Sequence, residues 1–190
     1  MLEQYNVILA SNSPRRKELL SGLDISFEVR IKPGIDESHP ANLPLKEIPR
    51  FIALRKAEAY LPEMQNNDLI ITADTVVLLD GEILEKPSGR DDAILMLRKL
   101  SGRTHTVVTA VVITTRDRQV DFSVESEVSF DELDDDAINW YVDNYQPYDK
   151  AGAYGIQEWI GYVGVKAING SFYNVMGLPV QRLYRELKAF

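Results

Sequence analysis

The spacing of apolar positions divides the chain into a small number of predicted elements. Tyr5 to Ala10 is a short apolar run that reads as a buried strand. Arg16 to Ser21 continues as a helix with Gly22 as its stop, and Ser26 to Ile31 alternates as a second strand. Residues 32–46 hold three prolines and predict an irregular loop. From Glu47 to Leu61, Ile48, Phe51, Ile52 and Ala59 share one helical face. Asp68 to Leu79 is a strongly β-branched strand, and Asp80-Gly81 predicts a hairpin into Glu82–Leu84.

Asp91 to Leu100 opens with acids and ends with Arg98-Lys99, which suits a helix dipole, and Gly102 closes it. Thr104–Thr115 and Gln119–Phe130 read as long paired strands, followed by a helix from Leu133 to Asn144. The glycine-rich stretch 149–177 predicts short β-like pieces, and Pro179 to Lys188 a closing amphipathic helix that starts at proline. Strands and helices intermix without strict βαβ alternation. The expected fold is therefore a single α/β domain, residues 1–190, around a mixed sheet.

Composition narrows the function classes. At 190 residues, with 45% hydrophobic and 26% charged content, the chain is an ordinary globular sequence. It has no cysteine, which excludes disulfides, thiolate metal sites and thiol nucleophiles and fits a reducing cytoplasm. No apolar stretch reaches the ~20 residues of a membrane span, and the N-terminus does not read as a signal peptide, so a cytoplasmic location without membrane association is expected. A net charge of −8 argues against a nucleic-acid surface. Ten of the acids lie between Asp121 and Asp149, where there is no basic residue; elsewhere 21 bases face 19 acids. An anion site therefore belongs outside 121–149.

One stretch breaks a local rule. In LASNSPRRKELL, from Leu9 to Leu20, Ser13 is a good N-cap and Pro14 suits the first helical turn, but Arg15, Arg16 and Lys17 then crowd the positive end of a helix dipole. Such a strand–loop–helix junction can cradle a phosphate, and arginine forks match phosphate oxygens. The alternative is cations that face solvent or pair with acids such as Glu18.

Other candidates are scattered. Asp74 interrupts the run DLIITADTVVLLD and must reach solvent, a cation or a metal, with Thr75 beside it. Asp36-Glu37 in the proline-rich loop could ligate a hard divalent cation or simply be solvated. Arg55 and Lys56 lie on or beside the apolar face of their helix, and Lys86 sits in a turn after the hairpin. Gln157 lies among glycines, where an amide could read a nucleobase edge. His39 and His105 show no metal-ligand spacing, and no Gly-x-Ser-x-Gly elbow is present.

Taken in order, these pieces resemble the Maf family of nucleoside triphosphate pyrophosphatases. The likeness runs through LASNSPRRKELL, Asp36-Glu37, ALRKA at 53–57, ADTVV at 73–77, EKP at 85–87, LRKLSGRTHTVVTAV at 97–111, DKAGAYGIQ at 149–157 and VMGLP at 175–179, nearly the whole chain. It implies an elongated, curved mixed sheet flanked by helices, with two lobes around a nucleotide cleft. It also implies hydrolysis of a triphosphate to monophosphate and pyrophosphate with Mg²⁺ or Mn²⁺, in a nucleotide-pool house-cleaning role.

By the same resemblance Ser13, Arg15, Arg16, Lys56 and Lys86 hold phosphates, Glu37 the metal, and Asp74 accepts the proton of the attacking water. Arg15, Thr75 and Gln157 match the dTTP- and UTP-hydrolysing branch, with modified pyrimidine nucleotides a further substrate class. Two positions depart from the family pattern: Thr72 and Glu158 stand where glycines are usual, the latter followed by Trp159. Exposed aromatics such as Trp140 or Trp159 would suit a homodimer contact. The competing reading is a nucleotide-sensing module that acts through a protein partner in cell division or septation, with the acidic 121–149 face as its contact surface.

Overall fold

A computed structural model of the protein describes residues 2–190. Among the described residues seven strands run in the order β2-β1-β3-β5-β6-β7, with β4 paired to β3. They are β1 (Asn6–Leu9), β2 (Glu28–Val29), β3 (Asp68–Leu79), β4 (Glu82–Leu84), β5 (Thr104–Thr114), β6 (Gln119–Phe130) and β7 (Val165–Asn169). The helices are α1 (Pro14–Ser21), α2 (Ile48–Tyr60), α3 (Arg90–Leu100), α4 (Asp135–Tyr145), α5 (Trp159–Gly164), α6 (Phe172–Met176) and α7 (Val180–Leu187). Parallel pairs β1–β2 and β1–β3 coexist with antiparallel β3–β4 and β6–β7, so the sheet is mixed as expected. Among the described residues no helix is long and apolar enough to cross a membrane.

The chain packs as two compact units, and β3, β5 and β6 contribute residues to each. The first contains the chain up to Thr75, Thr109–Val124 and Gly177–Phe190. Here β1 pairs with β3 in the register Asn6↔Asp68 to Leu9↔Ile71. Ala53 and Ala57 of α2 pack against Ala110 and Val112 of β5, small residues that let helix and strand approach closely. Tyr60 and Met64 cover Ile8 and Ile70.

The predicted strand at Ser26–Ile31 shrinks to Glu28–Val29, both exposed. Arg30 donates its N–H to Leu9, but its carbonyl accepts the Tyr60 hydroxyl at 2.8 Å, which takes the chain out of the ladder.

The second unit contains Val76–Val108 and Glu125–Met176. The predicted hairpin is present, with Asp80 at φ 49° and Gly81 at φ 81°, as its two-residue turn requires. Helix α3 packs its buried Ala93, Ile94, Leu97 and Leu100 toward α4 and the turn at Ala151–Ala153. The glycine-rich segment is less β-like than expected. Only Val165–Asn169 forms a strand, and α5, α6 and the short turn at Ala151–Ala153 take up most of the rest.

Candidate active site

Strand β3 is buried at ten of its twelve positions; the break falls at Asp74 and Thr75. Polar chemistry gathers at that break. Lys56, projecting from α2, places Nζ 2.8 Å from Asp74 Oδ1 and 3.0 Å from Glu37 Oε1. Asp74 Oδ2 has no protein donor among the described residues.

The neighbouring charges anchor the loop that carries Glu37. Arg55 pairs with Asp36 at 3.2 Å and donates to the Ser38 carbonyl at 3.0 Å. Asp36 also accepts from the Ser38 N–H and hydroxyl, both at 2.9 Å. These Ser38 bonds, followed by Arg55, hold the Asp36 carboxyl below its ordinary range. Periodicity could not choose between Arg55 and Lys56. The fold assigns each to one acid of the pair.

The opening helix separates its three cations. Ser13 caps α1, its Oγ accepting the Arg16 N–H at 3.4 Å, and no acid lies in the first turn. Lys17 is exposed and Arg15 half-buried. Arg16 turns inward: Nε donates to the Gly177 carbonyl at 2.8 Å, Nη1 to Ala73 at 2.9 Å and Nη2 to Thr75 Oγ1 at 3.0 Å. Three of its five N–H donors are thus held by protein acceptors. Burial lowers the Arg16 pKa from its usual value; Asp74 and Glu37 oppose that shift, while Arg15 adds to it.

Gly177, at φ 110°, can present its carbonyl to Arg16 because it carries no Cβ. Thr75 Oγ1 also bonds Thr109 Oγ1 at 2.9 Å, so its hydroxyl is fixed from two sides. Thr72, where the family resemblance has glycine, donates to the Ala53 carbonyl at 2.7 Å and ties β3 to the helix bearing Lys56.

The second unit carries Lys86 and Gln157. Lys86 is exposed and has no ion-pair partner among the described residues. The turn that holds it is fastened to the glycine-rich segment, since the Gly152 N–H donates to the Glu85 carbonyl at 3.1 Å. Gln157 lies inside a tight turn in which the Glu158 N–H donates to the Gly155 carbonyl at 2.9 Å. Its Oε1 is buried without a hydrogen-bond partner.

Two further residues contact the turn that holds Gln157. The Tyr141 hydroxyl accepts the Gly155 N–H at 3.0 Å and donates to Glu158 Oε2. Lys150, only 9% exposed, pairs with Glu158 Oε1 at 3.1 Å and Asp149 at 2.8 Å. Burial, and then the bond to Glu158, push the Tyr141 phenol pKa upward, so it stays protonated as a donor. Tyr141 is one aromatic on an amphipathic helix, and its spacing alone looks like core. Trp140 and Trp159 pack with centroids 4.4 Å apart and ring planes tilted by 53°, and Trp140 is exposed.

Residues 6–190 match the family described as Maf-like protein. The chain belongs to that family. Among its relatives, this Maf-family chain is 60% identical over 189 residues to a dTTP/UTP pyrophosphatase of Parabacteroides distasonis, covering 100% of this chain and 98% of the relative. It is 59% identical over 187 residues to a dTTP/UTP pyrophosphatase of Bacteroides thetaiotaomicron, covering 98% and 97%. A solved structure of a HAM1 protein from Coxiella burnetii shares the fold at a TM-score of 0.54 and 13% identity, over 98% of this chain and 100% of that one.

Among the described residues no group of three or more His, Cys, Asp or Glu side chains forms a ready-made metal cluster. Glu37 and Asp74 nevertheless offer hard carboxylate oxygens that share an ion-pair partner, the Lys56 ammonium. That donor set fits Mg²⁺ or Mn²⁺, which are commonly held by one or two carboxylates with substrate phosphates and water.

Proposed function

We propose that this Maf-family chain hydrolyses dTTP and UTP to the monophosphate and pyrophosphate, a house-cleaning activity on the nucleotide pool, with residues 1–190 as one catalytic domain. Modified pyrimidine triphosphates form a second substrate class for the same chemistry. The observation that carries the reading is the Lys56 ammonium held between Glu37 and Asp74 at the break in β3, in a chain 60% identical to a dTTP/UTP pyrophosphatase. The nucleotide-sensing alternative has no comparable observation behind it.

In this reading Asp74 accepts a proton from water through its free Oδ2. The water oxygen attacks the α-phosphorus, the bond from that phosphorus to the α–β bridging oxygen breaks, and pyrophosphate leaves. Ser13, Arg15, Lys56 and Lys86 bind phosphate oxygens. Arg16 contributes to phosphate binding through the two N–H groups its protein bonds leave over, and through the loop geometry those bonds maintain. Glu37, together with Asp74, would hold a divalent cation, which when bound neutralises phosphate charge. Arg15, Thr75 and Gln157 set the nucleotide preference. The proposed setting is the cytoplasm.

Pyrophosphate release across a panel of canonical triphosphates, with and without Mg²⁺ or Mn²⁺, tests the proposal. Preferred turnover of dTTP and UTP with metal is expected. Nucleotide binding with negligible turnover under every condition would overturn it.

A further inference from the structure

Glu158 occupies the position just before α5, yet its side chain makes no capping bond to that helix. Its carboxylate turns back instead to Tyr141 and Lys150. The consequence is a closed loop of interactions. Glu158 and Gly155 are the two ends of a four-residue turn joined by the Glu158 N–H to Gly155 carbonyl bond of 2.9 Å. One phenol holds both ends, since Tyr141 accepts from the Gly155 N–H at 3.0 Å and donates to the Glu158 side chain. Lys150, 3.1 Å from the other carboxylate oxygen, supplies the opposite charge that a mostly buried carboxylate needs. Tyr141 is itself stacked on Tyr145, with centroids 5.1 Å apart.

Gln157 is the third residue of this turn. A Cβ on Gly155 would lie 2.7 Å from Glu158 Cδ and 3.0 Å from Gln157 Nε2, so both side chains rest over the bare Cα of Gly155. The amide nitrogen is thereby set against the turn, and Oε1 is left as a buried acceptor with no donor. An orphan acceptor is costly unless a ligand satisfies it.

The geometry points to Glu158, acting through Tyr141 and Lys150, as a positioning residue that holds the Gln157 carbonyl oxygen ready for the ring N–H of a uracil or thymine base. The inference rests on the reading of Gln157 as the base-contacting residue. Uracil and thymine present a donor at ring N3, which satisfies Oε1. Cytosine presents a lone pair at the same ring atom and leaves two acceptors facing each other. The turn thus gives preference among pyrimidines by presenting one acceptor in a fixed direction.

The test compares kcat and KM of the 190-residue chain for UTP and CTP in Glu158→Gln, Tyr141→Phe, Gln157→Ala and the double variant Tyr141→Phe/Gln157→Ala. Glu158→Gln keeps the side-chain shape and removes the charge facing Lys150; Tyr141→Phe keeps the ring and removes the bridge. Each is expected to lower the UTP-to-CTP ratio of kcat/KM by about tenfold, chiefly through a higher KM for UTP. In the Gln157→Ala background Tyr141→Phe should leave that ratio where it stands, because no amide remains to position. A purely structural role would depress both substrates together and leave the ratio of the single variants unmoved.

If Gln157→Ala lowers the ratio while Glu158→Gln and Tyr141→Phe do not, the positioning role is wrong and base contact by Gln157 survives. If Gln157→Ala leaves the ratio unchanged, the base-contact reading fails and the inference falls with it. Should Tyr141→Phe fail to fold, judged by thermal melting, the Glu158→Gln ratio decides.

Discussion

The Lys56 ammonium and the Asp74 carboxylate form a 2.8 Å ion pair in which each side chain is only 15% exposed. Lys56 reaches from a helix and Asp74 from the middle of a strand whose other positions, apart from Thr75, are buried. Pairing suits both groups, because a partly desolvated charge without a partner is costly. It also places the candidate proton acceptor beside a fixed positive charge.

Asp74→Asn removes the proposed proton acceptor while preserving volume. Turnover of dTTP should fall by about 100-fold or more, with nucleotide affinity largely retained. Steady-state kinetics paired with calorimetric binding would check this, and near wild-type turnover would refute the assignment.

Lys56→Met takes the ammonium from between Glu37 and Asp74, and both carboxylates lose their shared ion-pair partner. Added Mg²⁺ in the absence of nucleotide should raise the melting temperature of this variant more than that of the wild type. An equal response in both proteins would argue against these two carboxylates as a ligand pair.

Arg16→Lys keeps the charge but cannot reproduce three directed bonds to Gly177, Ala73 and Thr75. A stability loss of about 1.5–3 kcal/mol is expected from the charge-assisted bonds that are lost. Denaturant unfolding reads this directly. An unchanged midpoint would show that the fork adds nothing.

His105 is buried, with Nε2 2.7 Å from the Tyr154 hydroxyl and its ring stacked on Phe130. Burial lowers its pKa from 6.5 to about 4. Between those values the unfolded chain binds the proton more readily than the folded one, so stability falls as pH drops through this window. Urea midpoints taken from pH 7 to pH 4 should decline less steeply for His105→Gln than for the wild type. Parallel pH curves would remove His105 as a contributor.

Thr72→Val preserves shape in the strand but leaves the Ala53 carbonyl without its 2.7 Å donor. The cost should be about 1 kcal/mol, and larger if the carbonyl finds no water. Thermal unfolding would measure it, and a neutral result would leave Thr72 as a simple packing substitution.

Much of this was legible in the chain. Residues 68–84 announced their strand and hairpin because β-branched density and an Asp-Gly turn are local signals, and both boundaries fall where expected. The helix at 14–21 is legible from Ser13 and Pro14, and its first turn holds no acid to offset the cations at its start. The motif ADTVV contains Asp74 and Thr75, which the structure places at the break in β3. By contrast, the alternation at 26–31 predicts a longer strand than forms, since nothing local shows that a tyrosine thirty residues later takes the Arg30 carbonyl.

What the sequence determined by itself is the set of elements, because helix and strand periods, caps and turns are written in residues a few positions apart. The tertiary structure decided which charge faces which. Arg16 meets Gly177 across 161 positions, Lys56 rather than Arg55 turns to Asp74, and Tyr141 closes the turn beneath Gln157. Those outcomes depend on side chains brought together by packing, and no periodicity along the chain encodes them.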